Sequence, residues 1–239
     1  MDVAILSAGE GSRLGMNSRL PKSFAEINGR PVLEWQLSAL SPLIGKNGVS
    51  SEINIVLGYG FEEDPHPVET IRERVDVPDE VSLNCIVLPY WDVTENAASA
   101  LAALNSVNDD TLLLCGDVVF STEVVRSFVD DFGKELSDNG MSSLAAIRGQ
   151  QDEMTAVRWD EEHQVTDYGA IPGHQEAGMF ILNREHFEQA GKLWLSGARE
   201  EWFPIVFEQV ETQAVTVPRT ERAEINTQEQ LKTAEERFQ

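Results

Sequence analysis

Two cations beside a glycine-rich loop are the first residues in this sequence with chemistry in their spacing. Ser7-Ala8-Gly9-Glu10-Gly11-Ser12-Arg13-Leu14-Gly15 follows a short apolar run, residues 3–7. Glycines at such a place let backbone N–H groups approach an anion closely. Arg13 lies inside the loop, and a second cation follows in Arg19-Leu20-Pro21-Lys22. The set suits a triphosphate, with the backbone cradling it while Arg13 and Lys22 neutralise charge that builds on a leaving pyrophosphate. Two familiar phosphate loops are excluded. The dinucleotide fingerprint needs a third glycine where Leu14 stands. The Walker loop needs Gly-Lys-Ser/Thr at a spacing that neither Gly9 nor Gly11 provides. A plain strand–loop–helix connection with Arg13 and Lys22 facing solvent fits the same residues, although cations at one loop of so acidic a chain are less readily incidental.

The elements that must hold these residues alternate between strand and helix, which predicts an α/β fold with a mostly parallel (mixed) central sheet flanked by helices. Strands are expected at 3–7, 53–57, 83–88 and 111–115. Helices are expected from Pro31 after the Asn28-Gly29 turn, at 68–74, at 96–107, and after Thr122, which is placed to cap. Beyond about residue 140 the pattern changes to short strands at 143–148, 156–160 and 165–168, with a hairpin turn at 161–164. A strand at 177–182, helices at 184–195 and 201–210, a last strand at 213–217 and a terminal helix capped by Thr227 and running to Phe238 complete the reading. No Pro/Gly/Ser-rich linker divides the chain, so residues 1–239 are expected to form a single domain, with 1–140 and 141–239 as its halves. Asp117, just past the strand at 111–115, stands where α/β sheets place ligands. It also suits a turn aspartate ahead of the Ser121/Thr122 helix.

Ala8-Gly9-x-Gly11-x-Arg13-Leu14 … Pro21-Lys22, followed by Ile27-Asn28-Gly29-Arg30-Pro31-Val32-Leu33-Glu34, resembles the signature of the nucleotidyltransferase superfamily. That group includes sugar-1-phosphate nucleotidylyltransferases and phosphocholine cytidylyltransferases. The resemblance continues at Ile55-Val56-Leu57-Gly58-Tyr59, Asn96-Ala97-Ala98-Ser99-Ala100-Leu101 and Leu113-Leu114-Cys115-Gly116-Asp117-Val118-Val119-Phe120. It returns at Glu176-Ala177-Gly178-Met179-Phe180 and Glu224-Ile225-Asn226-Thr227, so it spans nearly the whole chain.

The resemblance implies a Rossmann-like nucleotidyltransferase fold, with 1–140 the nucleotide-binding and 141–239 the acceptor-binding half. It implies an enzyme in which an acceptor phosphate attacks the α-phosphate of a nucleoside triphosphate and displaces pyrophosphate. Arg13 and Lys22 match the catalytic basic residues on the triphosphate. Ala8, Gly9, Gly11 and Ser12 belong to the loop that meets nucleotide. Asp117 matches the aspartate that holds Mg2+, and Asn226 the second metal position, where aspartate is commoner and Glu224 is an alternative partner. Asn226 also suits a residue that merely precedes the helix capped by Thr227. Asn96 and Ser99 are candidates for base or acceptor contacts or for a helix start, and Trp91 for a ring stack or simple packing. Glu176 matches a carboxylate that bonds acceptor hydroxyls in sugar-using members, with Tyr168 and Lys192 as possible neighbours. A sugar 1-phosphate is the expected acceptor. Phosphocholine or another alcohol phosphate, a molybdenum-cofactor-type guanylyltransferase and a nucleotide-binding regulatory subunit without turnover remain as alternatives. The sequence stops after the terminal helix, from which no attached left-handed β-helix acyltransferase domain is expected.

Composition limits the other classes. Forty-one acidic against 18 basic residues give a net charge of −23, which argues against nucleic acid or an anionic membrane as a partner. Only five of the 18 cations are lysines. Carboxylates in such excess repel one another unless salt screens them, and with so few lysines this predicts a halophilic protein of a salt-accumulating cytoplasm. No apolar run reaches the ~20 residues that span a bilayer, and Met1–Leu6 lacks the basic start of a signal peptide. Cys85 and Cys115 sit in apolar runs and are expected as buried thiols of a reducing compartment. His66, His163, His174 and His186 lack metal-ligand spacing and are expected on the surface. There is no Gly-x-Ser-x-Gly elbow, in keeping with direct displacement.

Overall fold

The strands of the first half form because β-branched and apolar residues alternate without a break, so both faces of each strand are covered. In β1 (Asp2–Ser7), Val3 and Ile5 enter the core on one face of the sheet while Ala4 and Leu6 enter the core on the other. The computed structural model describes residues 1–15, 19–46, 48–149, 155–197 and 201–238. After β1 come a tight hairpin of β2 (Glu26–Ile27) and β3 (Arg30–Pro31), then α1 (Val32–Leu40), β4 (Glu52–Leu57), α2 (Pro67–Arg72) and β5 (Ser82–Val87). Next are α3 (Asn96–Leu104), β6 (Thr111–Cys115), β7 (Val118–Phe120) and α4 (Thr122–Asp131). The second half carries β8 (Ser142–Ile147), β9 (Ala156–Trp159), β10 (Val165–Gly169), β11 (His174–Leu182), α5 (Phe187–Gly197), α6 (Val206–Gln209), β12 (Thr212–Thr216), β13 (Arg222–Glu224) and α7 (Gln228–Arg237).

One nine-stranded mixed sheet runs through both halves in the order β10-β9-β11-β6-β1-β4-β5, with β8 paired to β11 and β12. The neighbours β6, β1, β4 and β5 are parallel, and β11 joins antiparallel to β6. From β1 the chain winds outward to β4 and β5, then returns to set β6 on the opposite side of β1. The carboxyl ends of β1 and β6 therefore flank the point where the winding reverses, which is where open α/β sheets bind ligands. Two apolar cores cover the faces, with α1 and α4 on one side and α3, α5 and α6 on the other. A third, smaller core joins Leu14, Ile27, Val32, Val119, Ile225 and Ala234. It ties the glycine-rich loop, the β2–β3 hairpin and α7 around the two-stranded pair β7–β13.

Several expectations needed correction. Ser121, not Thr122, caps α4, because Ser121 has the extended backbone of a cap and its hydroxyl accepts from the Val124 N–H at 3.3 Å. Pro31 lies just before α1, paired with Glu26 in the hairpin. The helix expected at 201–210 is a 3₁₀ turn, Phe203–Ile205, then the single turn α6, with Pro204 opening the tighter turn. Strands β7 and β13 were not anticipated. Cys85 and Cys115 are only half-buried, although burial pushes the Cys85 thiol up to about 12 and Cys115 well above the usual range. Of the histidines only His66 is exposed. His163 lies near Trp159 and Arg148, His174 stacks on Trp159 at 4.0 Å, and His186 Nδ1 meets the Ser142 hydroxyl at 2.8 Å. Among the described residues no helix is long and apolar enough to cross a membrane.

Candidate functional site

The glycine-rich loop leaves β1 at Ser7 and closes into a 3₁₀ turn, Ser12–Leu14, whose Leu14 is buried in the third core. Gly11 begins this turn with φ +68°, a left-handed conformation that a side chain resists. A Cβ there would lie 2.7 Å from the Cβ of Lys22. The glycine thus lets the loop press against the stem of Lys22. Lys22 itself opens a second 3₁₀ turn, Lys22–Phe24, anchored by Phe24 against Phe61 (ring centroids 5.8 Å apart) and by a buried 2.5 Å bond from the Ser7 hydroxyl to that of Ser23.

Opposite Lys22, β6 ends in Gly116-Asp117. Gln36 of α1 donates to the carbonyls of Cys115 and Val118 at 2.8 and 2.7 Å and so brackets the Asp117 turn. Asn226 follows β13 and is fixed by Gln230, whose side chain accepts from the backbone N–H groups of Asn226 and Thr227. The Thr227 hydroxyl in turn accepts from the Gln230 N–H, completing a capping box at the start of α7.

These elements bring four side chains from distant parts of the sequence to one point. Lys22 Nζ donates to Asp117 Oδ2 at 2.5 Å and to Asn226 Oδ1 at 2.6 Å, and Arg13 donates to the same Asn226 oxygen at 3.2 Å. Lys22 and Asp117 are both largely shielded from solvent. Around them opens a cavity of about 640 Å³, lined also by Gly9, Asn96, Tyr168, Glu176, Trp202 and Arg222 among others.

A model of the MobA-like NTP transferase domain matches residues 3–189. The chain belongs to the MobA-like NTP transferase family. One relative, a CMP-5'-(3-aminopropyl)phosphonate synthase from Streptomyces rubellomurinus, is 31% identical over 179 residues, 74% of this chain and 25% of that protein. The chain spans about a quarter of the length of the curated relatives it matches. The fold is shared with a putative glucose-1-phosphate thymidylyltransferase from Bacillus anthracis, at a TM-score of 0.78 and 16% identity, over 99% of this chain and 94% of that one. It is shared too with the inositol-1-phosphate CTP transferase from T. maritima, at 0.75 and 16%, over 98% and 93%.

Within this NTP transferase chain, Gly9, Arg13, Lys22, Asn96, Asp117, Glu176 and Asn226 line the common cavity. Ala8, Gly11, Ser12 and Ser99 are not among the described residues that line it. The Ala8 carbonyl is engaged by the Tyr59 N–H at 2.9 Å, and Ser99 is buried on α3. Gly11 instead acts through the stem of Lys22. Asn96 accepts from the Phe203 N–H at 2.7 Å, so its side chain anchors the loop before α6. Trp91 donates to Glu62 at 2.7 Å and meets Tyr59 edge-on, outside the cavity. Lys192 pairs with Glu188 on the exposed side of α5, away from Glu176. Glu224 and Asn226 both line the cavity and touch each other. Arg222 holds the Glu224 carboxylate at 2.8 Å, Glu224 accepts from the Asn226 amide nitrogen, and the Asn226 oxygen is thereby turned towards Lys22 and Arg13.

Asp117 and Asn226 aim a carboxylate and an amide oxygen at a single cation. Two hard donors from separate elements, beside a cavity open to phosphate and water, suit Mg2+, which takes few protein ligands and completes its shell with substrate oxygens. Glu176 has a different setting. It lies on β11 where the pairing with β8 shifts between Glu176 and Phe180, at Gly178 with φ +84°. A Cβ on Gly178 would lie 2.7 Å from a methyl group of Val118. The bulge turns Glu176 into the cavity, where its carboxylate accepts from the Gly178 N–H and, at a long 3.4 Å, from the Tyr168 hydroxyl. Burial raises the Glu176 pKa to about 7, with Arg222 opposing and Glu224 adding to the rise. Burial, and then Glu176, likewise push Tyr168 well above its usual value. The sequence reading missed Arg222, Trp202 and Phe203. An arginine two residues before Glu224 on the same short strand was the only hint.

Proposed function

We propose that this protein is a Mg2+-dependent nucleotidyltransferase that moves a nucleoside monophosphate from a nucleoside triphosphate to a phosphorylated small molecule and releases pyrophosphate. The observation that carries this reading is the meeting of Arg13, Lys22, Asp117 and Asn226 at the carboxyl ends of β1 and β6. A phosphate oxygen of the acceptor forms a bond to the α-phosphorus, and the bond between that phosphorus and the oxygen bridging to the β-phosphate breaks. The electron pair leaves with pyrophosphate. Arg13 and Lys22, cations beside the glycine-rich loop, bind the triphosphate and offset the charge that grows on the departing pyrophosphate. Gly9 offers the close backbone approach that the phosphates need. Asp117 and Asn226 would hold Mg2+. When bound, that ion supplies Lewis-acid stabilisation of the charge on the phosphate oxygens.

The acceptor occupies the end of the cavity formed by β10, β11 and the loop before α6. The sequence points to a sugar 1-phosphate there. An alcohol phosphate or phosphonate is the second reading, favoured by the 31% identity to a CMP-phosphonate synthase. The test is pyrophosphate release from each of the four common nucleoside triphosphates with a panel of phosphorylated acceptors, with and without Mg2+. Release that requires both an acceptor and Mg2+ is the expected result. Tight nucleotide binding without turnover in any combination would instead favour a regulatory subunit, and activity confined to GTP with a molybdopterin acceptor would favour the guanylyltransferase alternative.

A further inference from the structure

A second cavity, of about 250 Å³, borders the candidate site and shares Arg222, Glu224 and Gln230 with it. The proposed reaction does not use it. Three arginines line it: Arg219 from the 3₁₀ turn Arg219–Glu221, Arg222 from β13 and Arg237 from the last turn of α7. The chain has only 18 lysines and arginines against 41 acids, so three guanidinium groups around one small space run against the charge of the whole molecule. Two acids share the wall. Glu224 is already engaged by Arg222 and Asn226, and Glu229 is exposed in the first turn of α7. The arginines are fixed by neutral oxygens. Arg237 Nη1 donates to the carbonyls of Arg219 and Arg222 at 3.0 and 2.5 Å, Arg222 Nε donates to the Ala177 carbonyl at 2.8 Å, and Arg219 Nη1 donates to Gln175 Oε1 at 3.0 Å. Among the described residues no carboxylate pairs with Arg237. Arginine can only donate, so the Gln175 oxygen faces Arg219 and its amide nitrogen faces elsewhere. Gln175 is 4% exposed and lines the cavity, yet that nitrogen makes no hydrogen bond with the described residues. A nearly buried donor without an acceptor, beside guanidinium groups held in place, calls for oxygen atoms from outside the chain.

We propose that this cavity is a second anion site, which binds a small phosphate-bearing molecule outside the candidate nucleotide site. Arg219, Arg237 and the Gln175 amide donate to its oxygens. The space is well under half of the 640 Å³ of the candidate site and suits inorganic phosphate or a small phosphate ester, not a nucleoside triphosphate. Arg222 links the two sites. It holds Glu224, which accepts from the Asn226 amide, so an anion that draws on Arg222 loosens the group that aims Asn226. Nucleotide and the second anion therefore weaken one another. The site itself does not rest on the transferase reading.

The test is calorimetric titration of the whole chain with inorganic phosphate and with glycerol 3-phosphate, at constant ionic strength, while a non-hydrolysable triphosphate analogue fills the candidate site. Both should still bind, and tighter binding of the ester would assign the site to esters over free phosphate. Thr233→Glu is the informative variant. Thr233 lines the cavity from an exposed position on α7. Glutamate is a good helix former, and at this position it stands four residues before Arg237 and gives that arginine a carboxylate. Thr233→Glu and Arg237→Gln should each weaken phosphate by about tenfold or more, the usual loss of a charge-assisted contact. The melting temperature of Thr233→Glu should stay at the wild-type value. Phosphate should also weaken binding of the analogue by about fivefold in wild type, and not in Thr233→Glu. Direct competition within the candidate site would survive Thr233→Glu unchanged. Phosphate binding that disappears once the analogue is bound, or that both variants leave at wild-type strength, overturns the second site. Binding that leaves the analogue's affinity unaltered overturns the link through Arg222 alone. Neither measurement involves turnover, so a chain that releases no pyrophosphate counts against the transferase reading and not against this site.

Discussion

Lys22 is the residue on which most of the candidate chemistry turns, since its ammonium touches both Asp117 and Asn226 while its stem rests on Gly11. Arg13→Ala and Lys22→Ala are each expected to lower kcat by about 10²–10³-fold, the usual loss when a preorganised charge contact at a reacting group is removed. Circular dichroism should show both variants folded, and pyrophosphate release at the wild-type rate from either would remove it from the site. Glu176 makes a different prediction. Its folded pKa, about 7, is above the value of an unfolded glutamate, so between these limits the folded state holds a proton that the unfolded chain has lost. This group's contribution therefore favours folding at low pH and fades as pH rises from about 4.5 to 7. Melting temperatures of Glu176→Gln should accordingly gain on wild type across that interval and hold the gain above it. Arg13, Lys22, Asp117 and Asn226 were legible in the sequence because each sits in a contiguous motif. Trp202 and Arg222 were not, because what makes them cavity residues is a bond from Asn96 across 107 positions and a strand pairing that no local pattern announces.

At the scale of elements, the long strands and the capped helices were readable, and the short connecting pieces were not. β1, β4 and β6 carry unbroken apolar runs, and α7 follows a Thr-x-x-Gln capping box. β7 and β13 have three residues each, too few for any periodicity, yet this pair brings Asp117 and Asn226 to the same end of the sheet. Thr227→Ala should lower stability by about 1 kcal/mol through loss of the cap. Because Gln230 links that cap to Asn226, KM for nucleotide should rise as well. A denaturation curve and a kinetic assay on the same preparation separate the two effects. Gly178→Ala should cost more, since a Cβ there meets both an unfavourable φ of +84° and the Val118 side chain. If its melting temperature matches wild type, the bulge that aims Glu176 is not fixed by this glycine.

For the molecule as a whole, the net charge of −23 governs behaviour in salt. Stability should rise as KCl goes from about 0.1 M to 1 M, where the Debye length falls from ~10 Å to ~3 Å and surface carboxylates cease to repel one another. Thermal unfolding across a KCl series checks this, and a melting temperature that is flat or falls with salt removes the halophile inference while leaving the fold and site untouched. All nine strands of the main sheet lie before residue 217, whereas Glu224, Asn226 and the cap of α7 come afterwards. The sheet therefore owes none of its strands to the segment 222–230, while Lys22 owes one of its two partners to it, so a chain cut before residue 222 would keep every strand of the main sheet and lose half of that contact.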